Sequence, residues 1–557
     1  MKARIIIVLV LAMAASLFIS GCQGGQILSG PVVKMQIVYG SEKRDWLQPL
    51  VDQYNAEKHK TTSGKVIEVE AIPMGSIESM NAILDGSMQP TVWSPASSVY
   101  LPLANAQWRN LHSTDLVEGT PKDLVLSPVV IAMWRSMAEA LGWPDQALGW
   151  SDIAQMAISP EGWSAYGFPE WGSFKFGHTH PGYSNSGVVA IIAQTYAGAG
   201  KQRGLTVQDL KDPKVADFMA KVQASIIHYG TSTGFFGERM FERGPSYLSA
   251  AVLYENLVVA QESKRLAGES SQLPVVAIYP KEGTFWSNHP YILLNAPWVT
   301  ADQKEAATEF ENFLLAREQQ LKALEFGFRP ADPTIPLSAP LDALHGVDPS
   351  QPKTILEIPT AEVIAGIQDL WQQNKKPVDL VVVMDISGSM SGEKISAART
   401  SLIQFIERLD ERDRLQVILF NQDVISLTPL TEVGPKRQEI TQRISGVIEE
   451  GNTSLYDATI QAYSELQANG DPSHIRAIVV LSDGQDTESV NSLGQVLQSI
   501  GQSVEEGGNA IKLFTIAFGE DADTEILKQI AEITGGKQYN SDPQNIRKIY
   551  DEIATFF

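Results

Sequence analysis

The clearest hydrophobic pattern lies in the last third of the chain. Val378 to Met384 is a near-continuous apolar run, as expected of a strand buried on both faces. Glu393 to Leu409 then repeats apolar residues at helical spacing. Leu415 to Phe420 predicts a second strand, with Val424 to Leu427 placed to pair antiparallel with it. Arg476 to Leu481 and Ile511 to Phe518 predict two more buried strands, each followed by a segment of helix length. Alternation of buried strands with helices predicts a parallel, doubly wound α/β sheet, whose sites lie at the carboxyl ends of the strands.

Upstream the pattern is quieter but similar in kind. Ile37 to Tyr39 and Val66 to Ala71 read as strands, and Asp45 to Glu57 as a helix. Gly75-Ser76-Ile77-Glu78 opens a helix reaching Leu84, and Pro181 to Gly187 opens a long apolar helix reaching Tyr196. Between residues 330 and 352 the chain is rich in proline (Pro330, Pro333, Pro336, Pro340, Pro349, Pro352) and reads as irregular cover. Val363, Ile364, Ile367, Leu370 and Trp371 then mark one face of a helix, and Asn374 to Pro377 a short hinge. The expected division is 1–21 leader, 22–33 tether, 34–330 first module, 331–376 connector and helix, and 377–557 second module.

Composition changes this picture in three places. The length of 557 residues is too great for one core. The net charge of −22 argues against nucleic acid or an anionic lipid surface as partner, since both would repel it. The single cysteine, Cys22, leaves no disulfide and no thiolate metal site. Met1 to Arg4 is basic, and Ile5 to Ile19 is apolar but shorter than the ~20 residues a membrane helix needs, so it reads as a secretory signal. Ile19-Ser20-Gly21-Cys22 resembles the bacterial lipoprotein cleavage site. That resemblance implies cutting before Cys22, acylation of its thiol and a lipid anchor outside the cytoplasm, which two or more acyl chains hold stably.

Chemistry concentrates at the predicted strand ends of the second module. The first strand runs into Asp385-Ile386-Ser387-Gly388-Ser389. Downstream, Gly451-Asn452-Thr453-Ser454 opens a helix, and a later strand ends in Ser482-Asp483-Gly484. An Asp-x-Ser-x-Ser loop, a threonine and an aspartate in this order resemble the metal-ion-dependent adhesion site of von Willebrand factor A (VWA) domains. The resemblance implies a Rossmann-like fold and Asp385, Ser387, Ser389, Thr453 and Asp483 as ligands. Magnesium suits such oxygen donors, with manganese or calcium as alternatives. Two carboxylates and three neutral hydroxyls leave a coordination position for a carboxylate from a protein partner, which is how the family typically binds. Asn452 stands where many members have a second glycine.

Residues 34–330 resemble two-lobed (type II, periplasmic-binding-protein-like) bacterial solute-binding proteins of the kind that includes molybdate- and sulfate-binding members. Val275 to Leu294 is similar to that family's strands crossing back into the first lobe. The resemblance implies a cleft lined by Ser41, Ser76, Ser97 and Ser186, with Tyr254-Glu255 nearby, taking a small polar or anionic solute. Read from position alone, each serine serves equally as a helix N-cap. His178 and His180 read as ordinary histidines rather than ligands, for want of a third donor. Trp134, Trp143, Trp150, Trp163 and Trp171 read as core of the second lobe. No nucleophile–base motif is present. The expected function is therefore binding without catalysis: a lipid-anchored, extracytoplasmic protein that grips a partner through magnesium and has a solute cleft. The alternative is the substrate-binding component of an ABC-type transporter.

Overall fold

The computed structural model describes residues 31–501 and 511–556. The leader and Cys22 lie outside the described residues. The remainder is α/β throughout and builds the two-lobed module and doubly wound domain expected from the sequence.

The first lobe is a five-stranded sheet in the order Val66–Pro73, Val32–Tyr39, Val92–Ser94, Pro290–Leu293, Lys122–Asp123. The first three strands run parallel and Pro290–Leu293 returns antiparallel, so this late segment does cross back into the first lobe. Helices Arg44–Glu57 and Ala301–Leu315 cover one face through Trp46, Leu50, Tyr54 and Phe310, all buried.

The second lobe forms around Val125–Trp134, which pairs with four other strands. Asn185–Ala199 is apolar all round and buried along most of its length, as a helix in the middle of a lobe must be. Trp134, Trp150 and Trp163 are fully buried here, with Trp143 and Trp171 packed against them. His178 sits on the strand Phe176–Thr179, buried between the Thr179 carbonyl and Gln223.

Residues 378–541 form a six-stranded sheet in the order Val424–Glu432, Arg414–Phe420, Val378–Asp385, Ile475–Ser482, Lys512–Phe518, Gln538–Ser541. Only Val424–Glu432 is antiparallel. All eight residues of Val378–Asp385 are buried, because helices cover both faces. One face packs on its own helices. The other shares a continuous apolar core with the second lobe, so this domain is docked rather than tethered. Arg243 of the second lobe donates to the Gly535 carbonyl (2.8 Å), and the Tyr229 amide donates to the Phe556 carbonyl (3.3 Å).

Candidate functional site

Strand register determines the first site. Asp385 closes its strand opposite Phe420, and Asp483 follows the neighbouring strand Ile475–Ser482, so both carboxylates emerge at the same sheet edge. Asp385 accepts from the Ser387 amide (2.8 Å) and from the Ser482 hydroxyl (2.7 Å). Ser387 and Ser389 hydroxyls lie 3.0 Å apart, and the Ser389 hydroxyl donates to Asp483 (2.7 Å). Four of the five expected ligands thus form one hydrogen-bonded chain. Thr453 stands in the adjoining loop, which is held against the Asp-x-Ser-x-Ser loop by the Gly388 amide donating to the Gly451 carbonyl (2.9 Å).

Two buried carboxylates in this cluster face one ammonium, that of Lys394. Asp385, Ser387 and Asp483 are almost wholly inaccessible. Burial pushes the Asp385 carboxyl up to about 6, against the hydrogen bonds from Ser387 and Ser482, and the neighbouring Asp483 repels its charge further. An all-oxygen set with two buried carboxylates, Asp385 and Asp483, fits a hard divalent cation such as magnesium. Asp385, Ser387, Ser389, Thr453 and Asp483 are the residues that would hold it.

Two participants were missed in the sequence. Ser482 is one residue before Asp483 and braces Asp385. Lys394, in the first turn of Glu393–Ile406, donates to the second oxygen of Asp483 (2.6 Å). A lysine at a helix start is a weak mismatch with the helix dipole, which is the one signal available beforehand. Asn452, at the non-glycine position, donates to Glu488 (2.7 Å) and follows Gly451, whose φ of +83° suits glycine.

The second site is the seam between the lobes. Ser41, Ser76, Ser97 and Ser186 are all buried. Ser41 meets Ser232 of the opposite lobe, and Ser186 meets Thr179 (2.7 Å) and Thr233 (2.9 Å). Ser76 accepts from the Ala96 amide (3.0 Å), and Ser97 accepts from the Val99 amide (3.2 Å) as a cap. Ser41 therefore meets the opposite lobe across the seam, Ser186 bonds within the second lobe, and Ser76 and Ser97 brace loops of the first lobe. The Tyr183 carbonyl of the second lobe accepts from both Ile77 and Glu78 amides (3.1 Å each), and Tyr100 donates to Asn185 (2.7 Å). The lobes are closed on each other. Glu255 accepts at 2.7 Å from both Nε and Nη2 of Arg329 and serves as a lock rather than as cleft lining.

Beside the closed seam the cleft widens into a cavity of about 940 Å³. Glu78 of the first lobe, Tyr183, Ser232 and Arg239 of the second, and Lys548 and Glu552 of the C-terminal helix Ile546–Ala554 all line it. All three bodies contribute a wall.

Two family models match the chain. Residues 35–329 match the family model of bacterial extracellular solute-binding proteins, and residues 379–552 match that of the von Willebrand factor type A domain. An uncharacterised protein of Mycobacterium tuberculosis is 22% identical over 534 residues, spanning 89% of this chain and 72% of that one. Human inter-alpha-trypsin inhibitor heavy chain H2 is 27% identical over 196 residues, 32% of this chain and 20% of that one. Among solved structures, the periplasmic binding protein AfuA from Actinobacillus pleuropneumoniae aligns with 13% identity and a TM-score of 0.43, covering 61% of this chain and 98% of that one.

Proposed function

The chain belongs to the bacterial extracellular solute-binding protein family and carries a VWA domain, and from that premise we propose that it is a membrane-tethered receptor that recognises a protein partner through magnesium. The family places it outside the cytoplasm, and both modules are of binding type. Among the described residues no helix is long and apolar enough to cross a membrane, and acylation of Cys22 is the proposed tether.

One observation carries the reading. Asp385, Ser387, Ser389 and Asp483 converge in an oxygen cluster, buried at Asp385, Ser387 and Asp483 and open at Ser389, whose two carboxylates face the single ammonium of Lys394. A divalent ion held there, with Thr453 beside it, offers its remaining position to a carboxylate of the partner. The ion supplies the local attraction, while the acidic surface around it repels an acidic partner at longer range. The test is a pull-down from extracytoplasmic extract with magnesium or with chelator, using wild type and Asp385→Ala. Partners should be retained only by wild type with magnesium. Equal recovery in all arms would refute the reading.

A second reading, the substrate-binding component of an ABC-type transporter for an anion or small polar solute, draws support from the cavity between the lobes. Its size suits a small organic solute. That reading requires a saturable solute that raises the melting temperature of the protein through binding linkage.

A further inference from the structure

The proposed metal site already contains a cation of its own. Lys394 Nζ lies 2.6 Å from Asp483 Oδ2, while Asp483 Oδ1 takes the Ser389 hydroxyl, so both oxygens of this carboxylate are engaged. The Asp483 side chain has no exposure, whereas that of Lys394 keeps 24%. The lysine thus reaches inward from the rim along its flexible stem, and the rim remains open to it.

Two features indicate that this position is built rather than incidental. Lys394 occupies the first turn of a helix, where the macrodipole disfavours an ammonium, so helix stability does not account for it. The lysine also packs closely where it lies: Gly519, which follows the strand Lys512–Phe518 and whose φ of +96° calls for glycine, would bring a Cβ within 3.3 Å of both Cε and Nζ of Lys394.

We propose that Lys394 is an internal competitor of the metal: its ammonium neutralises Asp483 while the site is empty of ion, and has to leave that carboxylate for a divalent cation to bind. The inference rests on the metal-site reading above. A monovalent ammonium and a divalent ion cannot share one buried carboxylate without strong mutual repulsion. The lysine has an exit, because its stem already runs to the surface. Magnesium affinity is then the difference between the ion's coordination and the ion pair it displaces. The pair keeps the empty site from collapsing under the repulsion between Asp385 and Asp483, and it lowers affinity for the ion.

The experiment is calorimetric titration of the full chain with magnesium chloride, for wild type, Lys394→Met and Lys394→Gln, together with thermal unfolding at zero and saturating magnesium. Neutral variants should bind magnesium about tenfold more tightly, the worth of one partly buried ion pair. Their metal-free melting temperature should fall below wild type, and saturating magnesium should remove the difference. A neutral variant that binds magnesium while wild type shows no binding would support the competition in its strongest form. Equal or weaker affinity in the folded neutral variants, with wild type binding normally, would overturn this inference and leave the metal site standing. No binding by wild type or by either variant would overturn the metal site and the competition together.

Discussion

Lowering the pH from 7.5 to 5 should destabilise the solute-binding module steeply, through histidines it buries in neutral form. His178, His228 and His289 are each no more than 4% exposed. Burial lowers His178 to about 4. It lowers His228 to about 3, with Lys512, Arg239 and Arg243 adding repulsion, and His289 to about 4, with Lys43 adding repulsion. In the unfolded chain each titrates near ~6.5. The folded values are depressed, so on acidification the unfolded state takes up protons first. Stability is therefore level above about 6.5 and is lost between there and the folded values. Each histidine contributes about 1.4 kcal/mol per pH unit, or about 2 kcal/mol by pH 5, and the three together about 6 kcal/mol. That is comparable with the whole stability of an ordinary domain. Glu42 acts in a different window. Burial raises its carboxyl, but Lys43 and His289 outweigh that and bring it down to about 2, so its contribution is lost only below about 4.3. All 11 tryptophans lie at or before Trp371, so tryptophan fluorescence reads this module and not the VWA domain. Urea unfolding followed by that signal should give a midpoint that drops continuously from pH 6.5 to pH 5. A midpoint that is flat or rises over that range would refute the reasoning.

The remaining predictions concern the lock and the tether. Arg329→Met leaves the inaccessible Glu255 charge without its cation, with the Tyr279 hydroxyl as its donor, and should cost about 3 kcal/mol by urea unfolding, while adding Glu255→Gln should restore most of it. A single variant within about 1 kcal/mol of wild type would refute the role of the Arg329 ion pair and leave Tyr279 as sufficient partner. Cys22→Ser should release the protein from membranes or block removal of its leader. A processed variant that still fractionates with membranes would rule out the acyl anchor.

Local pattern was enough to specify much of this protein. The run Val378 to Met384 required a strand covered on both faces, and all its residues are buried. The order of Asp385, Ser387, Ser389 and Asp483 at strand ends required that they meet, because parallel strands joined by helices deliver their carboxyl ends to one edge. The apolar helix Asn185–Ala199 and the crowded tryptophans likewise announced a lobe core. Periodicity reports which side chains leave water and says nothing of which distant partner each will meet. Lys394 and Asp483 are 89 residues apart, and Glu255 and Arg329 are 74 apart. Each pair forms only after the sheet register and the docking of helices are settled. The same is true of the serines expected in the cleft. Their positions at helix starts and turns were legible, but lobe closure gave Ser41 its partner Ser232, and packing within the second lobe gave Ser186 its partners Thr179 and Thr233. Only tertiary structure could bring the C-terminal helix against the cavity beside that cleft. The docking depends on an apolar face shared between two domains, and neither domain's own periodicity distinguishes it from internal core.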